Sequence, residues 1–166
     1  ASSAVVLSYQ NTDSKKWQAL ACFYFNDKVR DSAQSMLDTL KELGIESVML
    51  TGDPSPQALV MAENLGMQSA YNGLSPTDKV NHIQQLQANG AVVLMVGIND
   101  APVLAAADVS TSIAGAADLA QVSSDSIILN GQIEAITAAK RISDKTERII
   151  KQNFRWALAY NSIVLI

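Results

Sequence analysis

The sequence predicts an α/β fold in which a short β-hairpin precedes a doubly wound parallel sheet and one long helix follows it. Strand-like and helix-like segments alternate from residue 31 to residue 129, as in sheets covered by helices on both faces. The run 91–96 (AVVLMV) contains no polar residue, which is typical of a strand buried inside such a sheet. Residues 132–166 contain neither Pro nor Gly, which predicts one continuous helix.

The composition excludes two classes of protein. The 166 residues are 48% hydrophobic and only 17% charged, with a net charge of −4. An acidic balance argues against nucleic-acid binding, which needs a basic surface. The single cysteine, Cys22, excludes a disulfide framework. The low charged fraction, against about 25% in ordinary soluble domains, predicts an apolar core or contact with lipid.

The first elements are predicted from runs of apolar residues and their punctuation. Two apolar runs, 5–7 and 17–25, flank the polar segment 11–14 and predict a hairpin with a turn there. The periodicity of residues 31–43 predicts a helix that stops at Gly44, and 45–50 reads as a strand.

The same alternation continues to residue 129. Ser55 is the predicted N-cap of a helix over 56–65, which stops at Gly66, and a short strand follows at 67–71. Ser75 is predicted to cap a third helix, with Pro76 in its first position and Asp78 three residues after the cap. Three more strands are predicted, at 91–96, 109–113 and 126–129.

Two polar segments beside these elements are suited to an anion. Thr51, Gly52 and Asp53 follow a predicted strand, where a hydroxyl and exposed backbone amides can hold a phosphoryl group. Lys79 lies in the first turn of the third helix, against the preference of the helix dipole. A lysine there indicates an anionic ligand, although a solvated surface lysine is equally consistent with the pattern.

A third polar segment, Asn99 and Asp100, follows the apolar strand. Carboxylate and amide oxygens at the end of a buried strand suit Mg²⁺, a hard cation. Asp100 is equally suited to serve as the N-cap of the helix that starts near Pro102. The sequence leaves both interpretations open.

The last segment changes character along its length. Its first half is basic, and residues 156–166 carry no charge. Eleven residues are fewer than the roughly 20 that span a bilayer. We interpret the segment as the start of a transmembrane helix with basic residues on its cytoplasmic side. The alternative is a buried helix of a soluble domain.

Together the motifs resemble a known family. Thr-Gly-Asp at 51–53, Pro-x-x-Lys at 76–79 and Ile-Asn-Asp-Ala-Pro-x-Leu-Ala at 98–105 resemble the phosphorylation domain of P-type ATPases, membrane pumps with a haloacid-dehalogenase-like domain. The resemblance implies a fragment of an ATP-driven pump, with this domain on the cytoplasmic side of a membrane. It assigns 1–20 to the end of the nucleotide-binding domain, 21–148 to the phosphorylation domain and 149–166 to the start of a transmembrane helix.

The resemblance also implies the roles of individual residues. Thr51 and Gly52 would hold the phosphoryl group with Asp53 beside them, and Lys79 would neutralise phosphate charge. The remaining assignments are Asn99 and Asp100 beside Mg²⁺, with Asp100 as its ligand, and Asp27 and Arg30 near the domain hinge and the ATP.

Two departures from the family pattern affect catalysis. The family nucleophile lies in Asp-Lys-Thr-Gly-Thr, which is not found in this sequence. The family loop Gly-Asp-Gly-x-Asn-Asp is two residues shorter here, where Gly97 is followed directly by Ile98. The missing aspartate is the family's main Mg²⁺ ligand, so we expect this chain by itself to form no phosphoenzyme.

The end of the chain points to a subfamily. Tyr160 and Asn161 resemble the pair that helps to form the membrane metal site of copper(I) pumps. The implied partners are copper, membrane lipid and the other domains of the pump, with no nucleic acid. The alternatives are a free-standing phosphatase of the same superfamily and a catalytically inactive module of that fold.

Overall fold

The computed structural model describes residues 3–10, 15–25 and 29–164. The chain divides into two compact units, Ala1–Asp31 and Ser32–Ile166. The predicted turn at 11–14 and the predicted nucleotide contact Asp27 both lie outside the described residues.

The first unit contains the predicted hairpin. Strands β1 (Ser3–Gln10) and β2 (Trp17–Phe25) pair in antiparallel fashion, with a shift of register between Leu7 and Ser8. Strand β2 continues through the domain boundary that we predicted at residues 20 and 21. The assignment of 1–20, 21–148 and 149–166 to three domains stays a prediction.

The second unit alternates helices and strands, which confirms the predicted α/β class. Its elements, which begin or end within a few residues of the predicted positions, are α1 (Ala33–Glu42), β3 (Val48–Leu50), α2 (Gln57–Asn64), β4 (Ser69–Tyr71), α3 (Pro76–Ala88), β5 (Leu94–Gly97), α4 (Ala101–Ala106), β6 (Val109–Ile113), α5 (Asp118–Val122), β7 (Ser126–Ile128) and α6 (Ala135–Val164).

Helices cover both faces of the larger sheet. Strands β5, β6 and β7 pair in parallel and in that order. Met95 and Val96 are neighbours on β5, so their side chains point to opposite faces. Met95 packs on a core cluster with Leu104 of α4, and Val96 packs on a second cluster with Ala33 of α1. The sheet is therefore doubly wound, as predicted.

The strands do not form one continuous sheet. Strands β3 and β4 make a separate parallel pair. The expectation that 91–96 is a strand covered on both faces is wrong in its first half, because β5 begins only at Leu94. Val92 is 83% exposed and Leu94 is 44% exposed. The physical reason is that β5 is an edge strand in the described part of the chain, so no neighbouring strand covers this segment.

Glycines end two of the helices as predicted, but one predicted cap is wrong. Gly44 and Gly66 have φ values of +72° and +67°, which residues with a side chain rarely adopt. Pro56, not Ser55, occupies the N-cap position of α2. Ser55 fails as a cap because its hydroxyl and amide both bond to Asp53 instead.

The last helix, α6, is 30 residues long and has no buried residue. Ala135 and Ile136, at its start, pack on the core cluster that contains Ile113. Among the described residues, none of the helices combines the length and the apolar character that crossing a bilayer requires. The interpretation of α6 as the start of a transmembrane helix therefore stays a prediction.

Candidate functional site

The loop that follows β3 is fixed by backbone hydrogen bonds to the segment before α3. The amide of Thr51 donates to the carbonyl of Tyr71 at 2.9 Å, and its carbonyl accepts from the amide of Leu74 at 3.0 Å. The hydroxyl oxygen of Thr51 accepts from the amide of Asp53 at 3.2 Å. The half-buried Thr51 is therefore held beside the start of α3, and its hydroxyl proton can still be donated.

Gly52 and Asp53 shape this loop. A Cβ atom at Gly52 would meet the carbonyl oxygen of Leu74 at 3.3 Å, a tight contact with backbone that cannot move aside easily. The Asp53 carboxylate accepts from the amide of Ser55 at 2.8 Å and from its hydroxyl at 2.9 Å. These two bonds, with the backbone bond the stronger cause, hold the pKa of Asp53 below its usual value. The Asp53 side chain is thus used to form the turn.

Helix α3 begins with the predicted capping box. The amide of Asp78 donates to the Ser75 hydroxyl at 3.2 Å, and the Asp78 carboxylate accepts from the Ser75 amide at 3.0 Å. Pro76 occupies the first helical position. The Ser75 hydroxyl also donates to the Asp78 carboxylate, and it is the main cause of a lowered pKa there. The box fixes the first turn of the helix and with it the direction of Lys79.

Lys79 and Asp100 meet at the carboxyl end of β5. The Nζ atom of Lys79 lies 2.6 Å from Oδ2 of Asp100, and Lys79 is only 7% exposed. A buried ammonium group requires such a partner, because desolvation would otherwise oppose folding. Of the two interpretations of Asp100, the structure favours the charged one: Asp100 occupies the N-cap position of α4 but makes no capping hydrogen bond with its side chain.

The other predicted site residues lie apart from this pair or have no such contacts. Asn99 is exposed in the loop between β5 and α4. Arg30 is exposed and belongs to the first compact unit. Tyr160 and Asn161 are consecutive exposed residues of α6.

The arrangement suits a bound anion better than a bound cation. Thr51 offers a hydroxyl and Lys79 a positive charge, the groups that would hold a phosphoryl oxygen. For Mg²⁺, this edge of the sheet provides only Asp100, which already pairs with Lys79, and the amide of Asn99. Within the described ranges, no cluster of His, Cys, Asp and Glu side chains could hold a metal ion. The residues present therefore do not by themselves fit Mg²⁺.

Sequence reasoning missed a buried polar ladder along β6. Ser110, Thr111 and Ser112 are buried. Their side-chain partners follow α5 or lie in β7, and the three hydrogen bonds run from Ser110 to Asp125 at 2.9 Å, from Ser124 to Ser112 at 2.9 Å and between Thr111 and Ser126 at 2.8 Å. The signal available was three consecutive hydroxyl residues in a predicted central strand, which must be satisfied when they are buried.

Four aspartates predict how stability depends on pH. Hydrogen bonds lower the pKa of each below the ordinary 3.8, the main donors being the Ser55 and Val93 amides and the Ser75 and Ser110 hydroxyls, for Asp53, Asp108, Asp78 and Asp125 respectively. A lowered pKa in the folded state means that the stabilisation is complete above pH 3.8 and is lost as the pH falls through the folded-state pKa.

We therefore expect the free energy of unfolding, measured by urea denaturation, to fall as the pH is lowered below 3.8. Asp125→Asn should reduce this pH dependence, because it removes one of the four groups. Asp118→Asn, a change of an exposed aspartate in α5, is the control. Equal pH profiles for Asp125→Asn and the unchanged chain would contradict the assignment.

Known proteins share this architecture. The zinc-transporting ATPase of Bacillus subtilis is 36% identical over 144 residues, which cover 86% of this chain and 23% of that protein. The copper-transporting ATPase of Helicobacter felis is 35% identical over 150 residues, which cover 89% of this chain and 20% of that protein. The crystal structure of a zinc-transporting PIB-type ATPase in a phosphorylated state matches with a TM-score of 0.73 and 27% identity, over 85% of this chain and 23% of that one.

These relatives confirm the predicted resemblance to heavy-metal P-type ATPases. The chain spans about a fifth of the length of the curated relatives it matches. Residues 4–108, more than half of the chain, match the sequence profile of the haloacid dehalogenase-like hydrolases. The chain therefore belongs to the haloacid dehalogenase-like hydrolase family.

Proposed function

We propose that this chain is the carboxyl-terminal part of the phosphorylation domain of an ATP-driven heavy-metal pump, and that copper(I) is the transported ion. The observation that carries the proposal is the pair formed by Lys79 and Asp100 at the carboxyl end of β5. Ligands of parallel α/β sheets bind at this edge. The membrane, the transported metal and the other domains of the pump are the proposed partners.

In this proposal the phosphoryl group lies between the Thr51 loop and the first turn of α3. The Thr51 hydroxyl and the backbone amides around Gly52 bind its oxygens, and Lys79 balances its charge. Asp53 keeps the loop in shape through Ser55. Asn99 and Asp100 face the Mg²⁺ side, where Mg²⁺ would offset phosphate charge once a further carboxylate is supplied. Arg30 and Asp27 remain proposed contacts near the nucleotide.

The division of the sheet supports a nucleophile from another part of the protein. Strand β5 and the β3–β4 pair are not hydrogen-bonded to each other. A further strand between β3 and β5 would complete one parallel sheet. Its carboxyl end would then lie at the same edge as Thr51 and Lys79, where an aspartate could accept the phosphoryl group.

Two residues support copper as the ion. Tyr160 and Asn161 are neutral oxygen- and nitrogen-bearing side chains in the uncharged part of α6. Polar groups in a membrane segment are functional candidates, because placing them in hydrocarbon is unfavourable. Relatives include both copper- and zinc-transporting ATPases, so the ion must be tested directly.

The test is metal-stimulated ATP hydrolysis by the full-length pump in native membranes, with the short loop lengthened by Asp-Gly after Gly97. We expect copper(I) to stimulate hydrolysis at least about tenfold more than zinc(II), because a neutral site lacks the charge that a divalent ion needs. Stimulation by zinc(II) alone would overturn the choice of copper. Stimulation by neither ion, in a protein that is folded and inserted in the membrane, would overturn the pump.

A further inference from the structure

Helix α6 differs in charge from the rest of the chain. It carries six of the twelve Lys and Arg residues but only two of the sixteen Asp and Glu residues, so its net charge is +4. The rest of the chain, by difference from −4, has a net charge of −8. The basic charge of the protein is thus concentrated on one exposed helix.

Within α6, ion pairs neutralise some of the basic residues and leave others. Lys140 pairs with Asp144, and Lys151 pairs with Glu147. In the described part of the chain, no salt bridge is formed by the remaining four basic residues, Arg141, Lys145, Arg148 and Arg155. All four are exposed. Because both acids of the helix are already paired, these four charges are not compensated locally.

The four residues lie on one face of the helix. Their spacings of four, three and seven residues match the helical repeat, so they form a stripe about 21 Å long at 1.5 Å per residue. We call Arg141, Lys145, Arg148 and Arg155 the basic stripe. The position between the last two members on this face is Gln152, which is polar and uncharged.

An apolar stripe runs beside the basic one. It consists of Ile142, Ile149, Trp156, Tyr160 and Ile163, which are spaced by seven, seven, four and three residues and are between 46% and 76% exposed. Isolated exposed apolar residues are ordinary, but a continuous exposed row indicates a surface that another phase or molecule covers. A row that includes Trp and Tyr beside Arg and Lys is typical of helices at the membrane interface.

We propose that this face of α6 binds the headgroups of anionic phospholipids. The phosphates would contact the basic stripe, and the apolar stripe would contact the adjacent acyl region. The acidic remainder of the chain would be repelled by the same surface, so the charge distribution orients the domain over the membrane. The inference goes beyond ion transport and does not depend on phosphoryl transfer, so its failure and the failure of the proposed function are distinguishable.

The test uses the 166-residue chain and flotation with lipid vesicles. Vesicles of phosphatidylcholine mixed with phosphatidylglycerol are compared with vesicles of phosphatidylcholine alone. We expect much tighter binding to the anionic vesicles, and weaker binding as salt is added. Arg141→Gln/Arg148→Gln should weaken binding to anionic vesicles about 30-fold, since each basic residue near such a surface contributes about fivefold.

Two controls separate the stripe from net charge and from folding. Lys15→Gln/Lys41→Gln changes the net charge by the same amount at exposed positions outside α6, and should change binding less than about twofold. Arg148→Gln/Gln152→Arg returns the charge to the same face and should bind like the unchanged chain. Equal binding to both kinds of vesicle would overturn the proposal and favour an acidic protein surface as the partner. Equal weakening by the two double variants would also overturn it.

Discussion

Inserting Asp-Gly between Gly97 and Ile98 is expected to raise copper-stimulated ATP hydrolysis by the full-length pump by at least about 100-fold. The present loop supplies one carboxylate, Asp100, and that group is paired with Lys79. A second carboxylate would let Mg²⁺ bind without breaking the pair, and Mg²⁺ bound beside a phosphoryl group lowers the barrier by several kcal/mol. A barrier lower by about 2.7 kcal/mol corresponds to this increase.

The structure indicates that the insertion can be tolerated. Ile98 is 49% exposed, and the insertion falls between the end of β5 and a loop held by its carbonyl, which accepts from the amide of Ala117 at 3.0 Å. Val103 and Leu104 are fully buried and keep α4 in place. Exposed loops accept added residues at little cost in closure entropy.

The matched control is an insertion of Ala-Gly at the same place, which lengthens the loop without adding a carboxylate. Hydrolysis should stay at the level of the unchanged pump. If Ala-Gly restores activity as well as Asp-Gly, then loop length and not the Mg²⁺ ligand is what the protein lacks. If neither insertion restores activity in a folded protein, the domain is an inactive module of the fold.

Asn161→Lys in the pump with the Asp-Gly insertion is expected to abolish copper stimulation of ATP hydrolysis. The change removes a neutral side chain from the proposed metal site and puts an ammonium group there, which repels the copper ion. The expected loss is at least about tenfold, because like charges in a poorly solvated site disfavour binding strongly. The measurement is the initial rate of phosphate release as a function of copper(I) concentration.

Ser162→Lys is the control for this change. It places the same charge on the next residue of α6, about 100° around the helix. Ser162 donates a hydrogen bond to the carbonyl of Leu158 and has no proposed role in metal binding. Unchanged stimulation in Asn161→Lys would exclude Asn161 from the metal site, and equal loss in both variants would show a general effect of charge in this segment.

Local patterns predicted the helix starts and stops that depend on a few neighbouring residues. The capping box of Ser75 and Asp78 and the glycine stops at Gly44 and Gly66 are present as predicted. Such features need only backbone geometry and one or two side chains, so they can be predicted without knowledge of the fold. Ser55 shows the limit, because Asp53 competes for the same hydroxyl.

Site residues at strand ends were predictable from their order along the chain. In a parallel sheet the carboxyl ends of the strands meet at one edge, so a residue after β5 and a residue at the start of α3 were expected to approach each other. Lys79 and Asp100 do so at 2.6 Å. The ladder along β6 was not predicted, because its partners Ser124 and Asp125 are defined only by strand register and by the turn that follows α5.

The sequence by itself determined the α/β class, the positions of the elements and the candidate residues, because hydrophobic periodicity and capping are local properties. Only the tertiary structure decided that the strands form two parallel groups, that Asp100 pairs with Lys79, and that Asp53 serves the turn. It also decided that four basic residues of α6 form no salt bridge within the described residues. The physical reason is that pairing depends on which groups compete for one partner in space, and spacing along the chain does not fix that competition.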